Sequence, residues 1–306
     1  MGSVLWNASV AIYDPYADKI VDTLEFPGIT NTGTLHIGGV ARDPHTGLVS
    51  ILVDAAAAWA TGGADASGDN LLLRWDPAAR RVLWTANLTA TTRGRYSGFQ
   101  DVEHDARGHT YVVGTWPSSI LRVDAAGTQV VEWYLPQTRN TTVRGLGGLV
   151  ALPPGGGGGD GETLLANDGD GRLLRFDLRE ARGRATPVPT TPDVRYSDGD
   201  GLYAPARYGG RVLLMASHAA GVQVLRSGDG WRTARHVGTV PPRTGPEFVG
   251  SAPVAAVQMG SDAVYMIVVW LGDPWVPGQV AGNRTVFPMP DITAEIDALL
   301  AKDRDD

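Results

Sequence analysis

Short runs of alternating apolar and polar residues, joined by glycine-containing turns, recur along the whole chain. Residues 98–136 show the pattern most clearly, because two strand-turn-strand units follow each other there. The strands predicted in this segment lie at residues 102–104, 110–115, 120–124 and 129–134. Turns that end at Gly108 and Gly127 join them in pairs, and glycine suits such turns because it tolerates a positive φ. The segment therefore predicts a four-stranded antiparallel meander.

The same order of strands and turns is found before and after this segment. We place complete copies at residues 36–89, 97–136, 145–190 and 198–241, a partial copy at 3–27, a closing copy at 251–271 and a C-terminal segment at 272–306. A single meander leaves one face unburied and needs copies of itself to stack on. Stacked repeats of this kind are typical of a β-propeller. The chain is therefore predicted to be all-β, a single propeller domain of four-stranded blades, with six blades favoured and five as the alternative.

The last residues depart from the strand pattern. Ile292, Ile296, Leu299 and Leu300 follow helical spacing within residues 291–302. We expect a short amphipathic helix that covers one edge of the propeller.

Composition limits the partners that the chain is expected to bind. The formal net charge is −7, and no basic stripe interleaved with aromatic residues is present, which argues against nucleic acid. No apolar run approaches the roughly 18–20 residues that a membrane span requires, so we expect none. The sequence contains no cysteine, and therefore no disulfide framework.

Four asparagines open N-x-S/T sequons, which is more than chance predicts for this composition. They are Asn7, Asn87, Asn140 and Asn283. We therefore expect N-glycans and a secretory or secreted glycoprotein. The chain starts in the middle of a predicted blade, and we expect its leader to be absent from this sequence.

The repeat pattern also predicts which residues share the ligand-binding face. The start of strand one and the end of strand two lie together because these strands are antiparallel neighbours, and loops at such a face commonly bind ligands. Strand-one starts carry His36, Gly38, Gln100, Asp101, Gly147, Asp198, Asp200 and Ala252. Strand-two ends carry Trp6, Asp54, Trp59, Trp116, Asn167, Asp168, His218 and Trp270, with Trp275 nearby. The recurring tryptophans either fill the spaces between blades or form an apolar rim for a bulky ligand, and the small residues are expected to leave volume.

A first resemblance is to the gluconolactonase and senescence-marker propellers, which bind a divalent metal at strand-one starts. The matching positions here are Gly38, Gln100, Gly147, Asp200 and Ala252. One carboxylate and one amide make a poor metal site, so we expect no metal and no cofactor. A metal-dependent lactonase-like hydrolase remains an alternative through Asp54, Asp101 and Glu103.

A second resemblance covers nearly the whole chain. It rests on the runs VLWNASVAIYDPYADKIVD, LHIGGVARDP, GFQDVEHDARGHTYVVGTWPSSILRVD and PGQVAGNRTVFPMPDITAEIDAL. These runs resemble the fungal propeller proteins of trichothecene biosynthesis clusters, a family similar to the hetero-Diels–Alderases of tropolonic sesquiterpenoid pathways and, more distantly, to a secreted allergen of skin yeasts. The resemblance implies a six-bladed propeller that closes rings in reactive terpenoid intermediates without a cofactor.

These observations predict a non-redox cyclase, or pericyclase, that acts on a hydrophobic terpenoid. A ring closure of this type needs its reacting atoms held together in a water-poor cavity, and orientation alone supplies roughly 7–11 kcal/mol. A hydrogen-bond donor to the electron-poor oxygen adds electrostatic stabilisation. We assign catalysis to His36, His218, Asp200, Gln100 and Asp101, and substrate binding to Trp6, Trp59, Trp116, Trp270, Trp275 and Asp168. The non-enzymatic alternative is a secreted binder of lipids or terpenoids.

Overall fold

The computed structural model describes residues 1–137, 140–141, 143–159, 161–195, 198–279 and 283–305. Its contacts divide the chain into two compact units. The first unit contains Met1–Leu146 and Pro274–Arg284, and the second contains Gly147–Asp273 and Thr285–Asp306. Each unit is built mainly from antiparallel strands, which confirms the predicted all-β class.

The described residues of the first unit form three antiparallel sheets. Its strands are β1 (Gly2–Val4), β2 (Ser9–Asp14), β3 (Lys19–Leu24), β4 (Leu35–Arg42), β5 (Val49–Ala55), β6 (Leu71–Asp76), β7 (Arg81–Asn87), β8 (Ser97–His104), β9 (Thr110–Trp116), β10 (Ser119–Val123) and β11 (Val130–Tyr134). They pair in the orders β1-β2-β3, β4-β5-β6-β7 and β8-β9-β10-β11. Two helices of one turn, α1 (Ala56–Ala60) and α2 (Leu88–Thr92), follow strands of the second sheet.

The turns of the third sheet form as the sequence predicts. Gly108 and Gly127 have φ values of 82° and 71°, which only glycine adopts without strain. Asp105 and Asp124 precede these glycines, and each carboxylate accepts hydrogen bonds from backbone N–H groups of its own turn. The aspartates therefore satisfy donors that the tight turn leaves outside the strand ladder.

Strand β5 is buried along its whole length because apolar side chains leave it in both directions. Ile51 and Val53 join a core cluster that contains Val10 of the first sheet. Leu52, which points to the opposite face, joins a cluster that contains Val112 of the third sheet. The second sheet of the first unit therefore stacks against both of its neighbours, as a repeat with two apolar faces must.

Where the structure describes it, the second unit forms three further sheets. Its strands are β12 (Leu149–Leu152), β13 (Thr163–Asn167), β14 (Leu173–Asp177), β15 (Thr186–Val188), β16 (Thr190–Thr191), β17 (Gly199–Tyr203), β18 (Val212–Ser217), β19 (Gly221–Arg226), β20 (Ala234–Val240), β21 (Ala252–Met259) and β22 (Ala263–Val269). They pair in the orders β12-β13-β14-β15, β16-β20-β19-β18-β17 and β21-β22. Strand β16 departs from the antiparallel pattern, because it pairs parallel to β20.

Helix α3 (Thr293–Asp305) forms where the sequence predicts a helix over residues 291–302. Ile292 and Ile296 are fully buried in a cluster with Val264 and Met266. The Thr293 hydroxyl accepts a hydrogen bond from Val264 N at 2.8 Å, which fixes the start of the helix on β22. Within the described part of the chain, no helix combines the length and apolar character needed to cross a membrane.

Candidate functional site

The inner strands of the sheets share a local irregularity at the predicted ligand-binding positions. The pairing register shifts between Ile37 and Val40 in β4, between Phe99 and Asp101 in β8, between Gly199 and Leu202 in β17, and between Pro253 and Ala255 in β21. Such bulges bend a strand and re-aim its side chains. Gln100 and Asp200, two of the predicted catalytic residues, lie within these shifts.

The glycines at these strands do not leave volume, which corrects the expectation drawn from their size. A Cβ atom on Gly39 would lie 2.8 Å from the Cα atom of Asp101, and one on Gly38 would lie 3.2 Å from the carbonyl oxygen of Gln100. In the second unit, a Cβ on Gly148 would lie 2.5 Å from the carbonyl oxygen of Asp200. Glycine is required because neighbouring inner strands approach closely.

In the first unit, His36 and Asp54 are directly opposed on β4 and β5. Opposed residues point to the same face of the sheet, with Cβ atoms about 4.5–5.5 Å apart. His36 is 6% exposed and Asp54 is 1% exposed. The His36 ring meets the Trp6 ring edge to face, with 4.8 Å between their centroids, and Trp59 Nε1 donates a hydrogen bond to Asp54 Oδ2. The structure therefore joins two predicted catalytic or binding residues, His36 and Trp59, through Asp54.

Burial favours the neutral form of both titratable groups in this set. It raises the pKa of Asp54 well above its ordinary value, and the hydrogen bond from Trp59 opposes this shift only in part. It lowers the pKa of His36 to about 4. In the neutral forms that burial favours, the carboxyl is a hydrogen-bond donor and the imidazole offers an acceptor, and the pair carries no net charge.

Trp59 and Trp116 contact each other edge to face, with ring centroids 4.8 Å apart. Trp116 is 7% exposed, and Gly63 and Gly98 lie so close to its ring that a Cβ on either would approach within 2.5 Å. Trp59 is half-buried on helix α1. Trp116 thus packs into the unit, whereas Trp59 keeps an exposed edge beside Asp54.

The other predicted residues of the first unit lie in separate contacts. Gln100 Nε2 donates to the carbonyl oxygen of Leu146 at 3.4 Å, and Asp101 Oδ1 accepts from Val102 N at 2.9 Å. Trp275 is 39% exposed, and a Cβ on Gly33 would lie 3.3 Å from its ring. Asp101 and Gln100 therefore also serve the bulge in β8.

In the second unit, the predicted catalytic residues His218 and Asp200 form a direct pair. His218 Nε2 lies 2.7 Å from Asp200 Oδ2, and both side chains are about a fifth exposed, at 22% and 23%. Asn167, which is fully buried, donates from Nδ2 to the carbonyl oxygen of Asp200 at 2.7 Å, and its Oδ1 accepts from Gly148 N. Asn167 therefore fixes the backbone that carries the pair.

Asp198 supports the loop that presents His218. Its two carboxylate oxygens accept from Ser217 Oγ at 2.7 Å and from Ala219 N at 2.8 Å. Burial opposes the ionisation of Asp198, but these hydrogen bonds outweigh it and the pKa is lowered. An ionised Asp198 therefore holds the residues on both sides of His218.

The remaining two predicted residues of the second unit are engaged elsewhere. Asp168 Oδ2 pairs with Arg172 at 2.9 Å across the turn after β13. Trp270 is 6% exposed, donates from Nε1 to the carbonyl oxygen of Val249 at 3.1 Å, and meets Phe287 edge to face. The structure does not bring either of them into contact with the His218–Asp200 pair.

Among the described residues, no group of three or more His, Asp or Glu side chains is arranged to hold a metal ion. A cavity of about 250 Å³ is lined by Arg207, Tyr208, Arg211, Val212, Arg226 and Leu300. Arg207 pairs with Asp297 and Arg226 with Asp303, so the cavity contains none of the predicted site residues.

One predicted glycosylation site is incompatible with the fold. Asn7 is 2% exposed, and its Nδ2 donates to Asn31 Oδ1 and to the carbonyl oxygens of Val276 and Gln279. A glycan on that nitrogen has no space. Asn87, Asn140 and Asn283 are exposed and stay predictions, although Thr142 of the Asn140 sequon lies outside the described residues.

Sequence reasoning placed Asp54 at the ligand-binding face but gave it no catalytic role. The available signal was a carboxylate at the end of the apolar strand VSILVDA. Asn167 and Asn70 were missed as positioning residues. Asn70 Oδ1 accepts from Ala55 N at 3.1 Å, next to Asp54, and this contact depends on a partner 15 positions away.

Two curated proteins match the chain over almost its whole length. Trichothecene biosynthesis protein 14 of Trichoderma arundinaceum is 32% identical over 98% of this chain and 83% of its own length. The chain therefore belongs to the family of this trichothecene-cluster protein. Core trichothecene cluster protein 14 of Fusarium sporotrichioides is 28% identical over 97% of this chain and 80% of its own length. Membership of the trichothecene-cluster family, predicted from the sequence runs, is thereby confirmed.

Solved structures show the fold of this family member. The major allergen Mala s 1 of Malassezia sympodialis matches 94% of this chain and 87% of its own with a TM-score of 0.73 at 18% identity. The β-propeller domain of Cps50 (Swd1) matches 86% of this chain and 74% of its own with a TM-score of 0.50 at 13% identity. No protein-family model matches the chain. The predicted β-propeller class is confirmed, and these distant likenesses say nothing about activity.

Proposed function

We propose that the chain is a cofactor-independent cyclase of fungal secondary metabolism, which closes a ring in a reactive terpenoid intermediate. The observation that carries the proposal is the His218–Asp200 pair, whose atoms lie 2.7 Å apart at the end of β18. The names of the family members, which are proteins of trichothecene biosynthesis, supply the pathway class.

The pair has the geometry of a proton relay. When His218 donates Nε2–H to the Asp200 carboxylate, the neutral ring presents Nδ1 as an acceptor. That nitrogen takes the proton from a hydroxyl that attacks to form a ring, or, once protonated, donates to the oxygen on which charge develops. A hetero-Diels–Alder closure needs only the second role, because no proton is lost from the product.

The same assay tests the two alternative functions, a binder and a lactonase-like hydrolase. A binder of lipids or terpenoids takes up the precursor without changing its rate of closure or its product. A lactonase-like hydrolase opens a lactone and loses activity with a chelator. A cyclase, a binder and a hydrolase would all bind a small organic molecule. Analysis of the product therefore distinguishes the three functions better than a measurement of binding does.

We expect that replacing either member of the pair abolishes most of the catalysis. The purified protein is incubated with the reactive terpenoid precursor, and product yield and enantiomeric excess are measured with and without protein. His218→Ala and Asp200→Asn should each lower the rate of closure about a hundredfold, because a positioned acid or base contributes roughly 10²–10⁴.

His45→Ala and Asp170→Asn are matched controls. Both side chains are exposed and neither contacts the pair, so both variants should keep the wild-type rate. Racemic product at the uncatalysed rate with the wild-type protein, or full activity in both His218→Ala and Asp200→Asn, contradicts the proposal.

A further inference from the structure

The first unit contains a second set of polar groups that the His218–Asp200 relay does not use. The set consists of Trp6, His36, Asp54 and Trp59, and we call it the indole–acid cluster. Its members are linked by the Trp6–His36 ring contact, the cross-strand opposition of His36 and Asp54, and the hydrogen bond from Trp59 to Asp54.

One member of the indole–acid cluster lacks a hydrogen-bond partner in the described part of the protein. Trp6 Nε1 is a buried N–H without an acceptor. The ring of His36, which is 6% exposed, packs edge to face against the Trp6 ring. Buried polar groups are almost always satisfied, and leaving one unpaired costs about 1–3 kcal/mol. The Trp6 N–H therefore points to an acceptor that the described residues do not supply.

Asp54 completes the set as a donor. Trp59 Nε1 donates to Asp54 Oδ2, and no hydrogen bond from the Asp54 carboxyl to another side chain is found among the described residues. Burial raises the pKa of Asp54 well above its ordinary value and so favours the protonated form, which is a hydrogen-bond donor. A neutral acid held in an apolar site donates a strong hydrogen bond, as ketosteroid isomerase illustrates.

The environment selects an apolar ligand with one or few oxygens. Trp6 and Trp59 are half-buried, and each presents an indole ring beside the polar atoms. A charged ligand would have to be desolvated with no opposite charge in the cluster, whereas a ketone, ether or alcohol oxygen fits donors that are neutral.

We infer that the indole–acid cluster binds a neutral oxygen of a terpenoid ligand, with Asp54 and the Trp6 N–H as its hydrogen-bond donors and Trp59 positioning Asp54. The inference depends on the proposed function in one respect, the choice of a terpenoid as the class of ligand. In the proposed reaction this contact would hold the oxygen-bearing part of the substrate, and no bond is made or broken at Asp54.

The test compares two probes that differ by one carbonyl. The sesquiterpene ketone nootkatone and its parent hydrocarbon valencene are titrated into the full-length protein, with tryptophan fluorescence and calorimetry as readouts. We expect the wild-type protein to bind the ketone about tenfold more tightly, the effect of one or two net hydrogen bonds. Asp54→Leu should remove this preference.

Three further variants separate donation from packing. Asp54→Asn keeps a neutral N–H donor and an acceptor for Trp59, so it should keep most of the preference, whereas a carboxylate role would be lost in it. Trp6→Phe removes the N–H together with part of the ring, keeps an aromatic side chain beside His36, and should reduce the preference. Trp133→Phe, a fully buried tryptophan outside the cluster, is the control and should leave the preference unchanged.

An infrared difference spectrum of wild type against Asp54→Asn at neutral pH reports the acid directly, without any ligand. A band in the carboxylic-acid C=O region supports the inference, and a carboxylate band overturns it. Equal affinity for both probes in the wild type also overturns it. If the protein does not convert the precursor but its preference for the ketone depends on Asp54, the cluster is a binding site and the cyclase proposal is wrong. If the protein converts the precursor but shows no ketone preference that depends on Asp54, the cyclase proposal stands and the inference about the cluster is wrong.

Discussion

Replacing Asp43 with alanine is expected to lower the free energy of unfolding by about 3–5 kcal/mol, because it leaves a buried guanidinium without its counter-charge. Asp43 is fully buried and pairs with Arg74, which is 3% exposed. Arg74 also donates to Ser50 Oγ at 3.0 Å, and His104 Nε2 lies 2.9 Å from the same oxygen. The loss of one carboxylate therefore disturbs a network that joins the second and third sheets of the first unit.

Asp43 is ionised in the folded protein. Burial opposes ionisation, but hydrogen bonds from Thr46, His45 N and Arg74 lower the pKa of Asp43 to about 2. The charge on Arg74 is permanent, since a guanidinium does not release its proton in a protein. The unpaired cation in Asp43→Ala therefore has no means of becoming neutral, which is why the cost is large.

Urea unfolding at neutral pH measures the effect, with Asp22→Ala as the control. Asp22 and Arg80 form an exposed ion pair of the same type in the same unit, and screening by water makes such pairs nearly neutral for stability. The control should therefore unfold close to the wild-type midpoint. Equal midpoints for Asp43→Ala and Asp22→Ala would show that the buried pair carries no special stability.

The strand-turn repeats were predictable because their signals are local. Gly108 and Gly127 mark turns by a conformation that only glycine adopts easily, and the alternation between them sets the strand lengths. The two-residue strand β16 and helices α1 and α2 were not predicted. Each is too short to show a period, and β16 exists only because Thr190 and Thr191 pair with β20 more than forty residues later.

Part of the candidate site was also predictable, because the repeats show which strand ends lie next to each other. Aligned repeats place His218 and Asp200 at neighbouring strand ends, and the structure joins them at 2.7 Å. The same alignment could not show that Trp59 folds back to Asp54, because that contact depends on the path of helix α1. The alignment also predicted wrongly that Gly38 leaves empty volume. A glycine looks the same in sequence whether it lines a cavity or packs against a neighbouring backbone, as Gly38 does.

The last prediction concerns His36 and Asp54, whose effects on stability should oppose each other between about pH 4 and 6.5. Stability rises with pH wherever the unfolded state binds more protons. The folded pKa of His36 is about 4, below the unfolded value of about 6.5, so His36 makes stability rise with pH across this window by about 3 kcal/mol. Burial raises the folded pKa of Asp54 above the unfolded value of about 4, so the folded state binds more protons above pH 4 and Asp54 makes stability fall as pH rises from there.

Single variants should therefore reveal slopes that the wild type conceals. Relative to the wild type, Asp54→Asn should gain stability as the pH rises above about 4, because the destabilising contribution of Asp54 is removed. His36→Gln should lose about 3 kcal/mol of stability relative to the wild type between pH 4 and 6.5. Urea unfolding of all three proteins is measured at each pH. Asp101 lies against Gly39, which is on the same strand as His36, and its contribution is common to the three proteins, so it cancels in their differences. If the folded protein instead holds a charged His36–Asp54 ion pair, both slopes should disappear between pH 4 and 6.5, because in that range the acid is ionised and the imidazole is protonated in the folded and unfolded states alike.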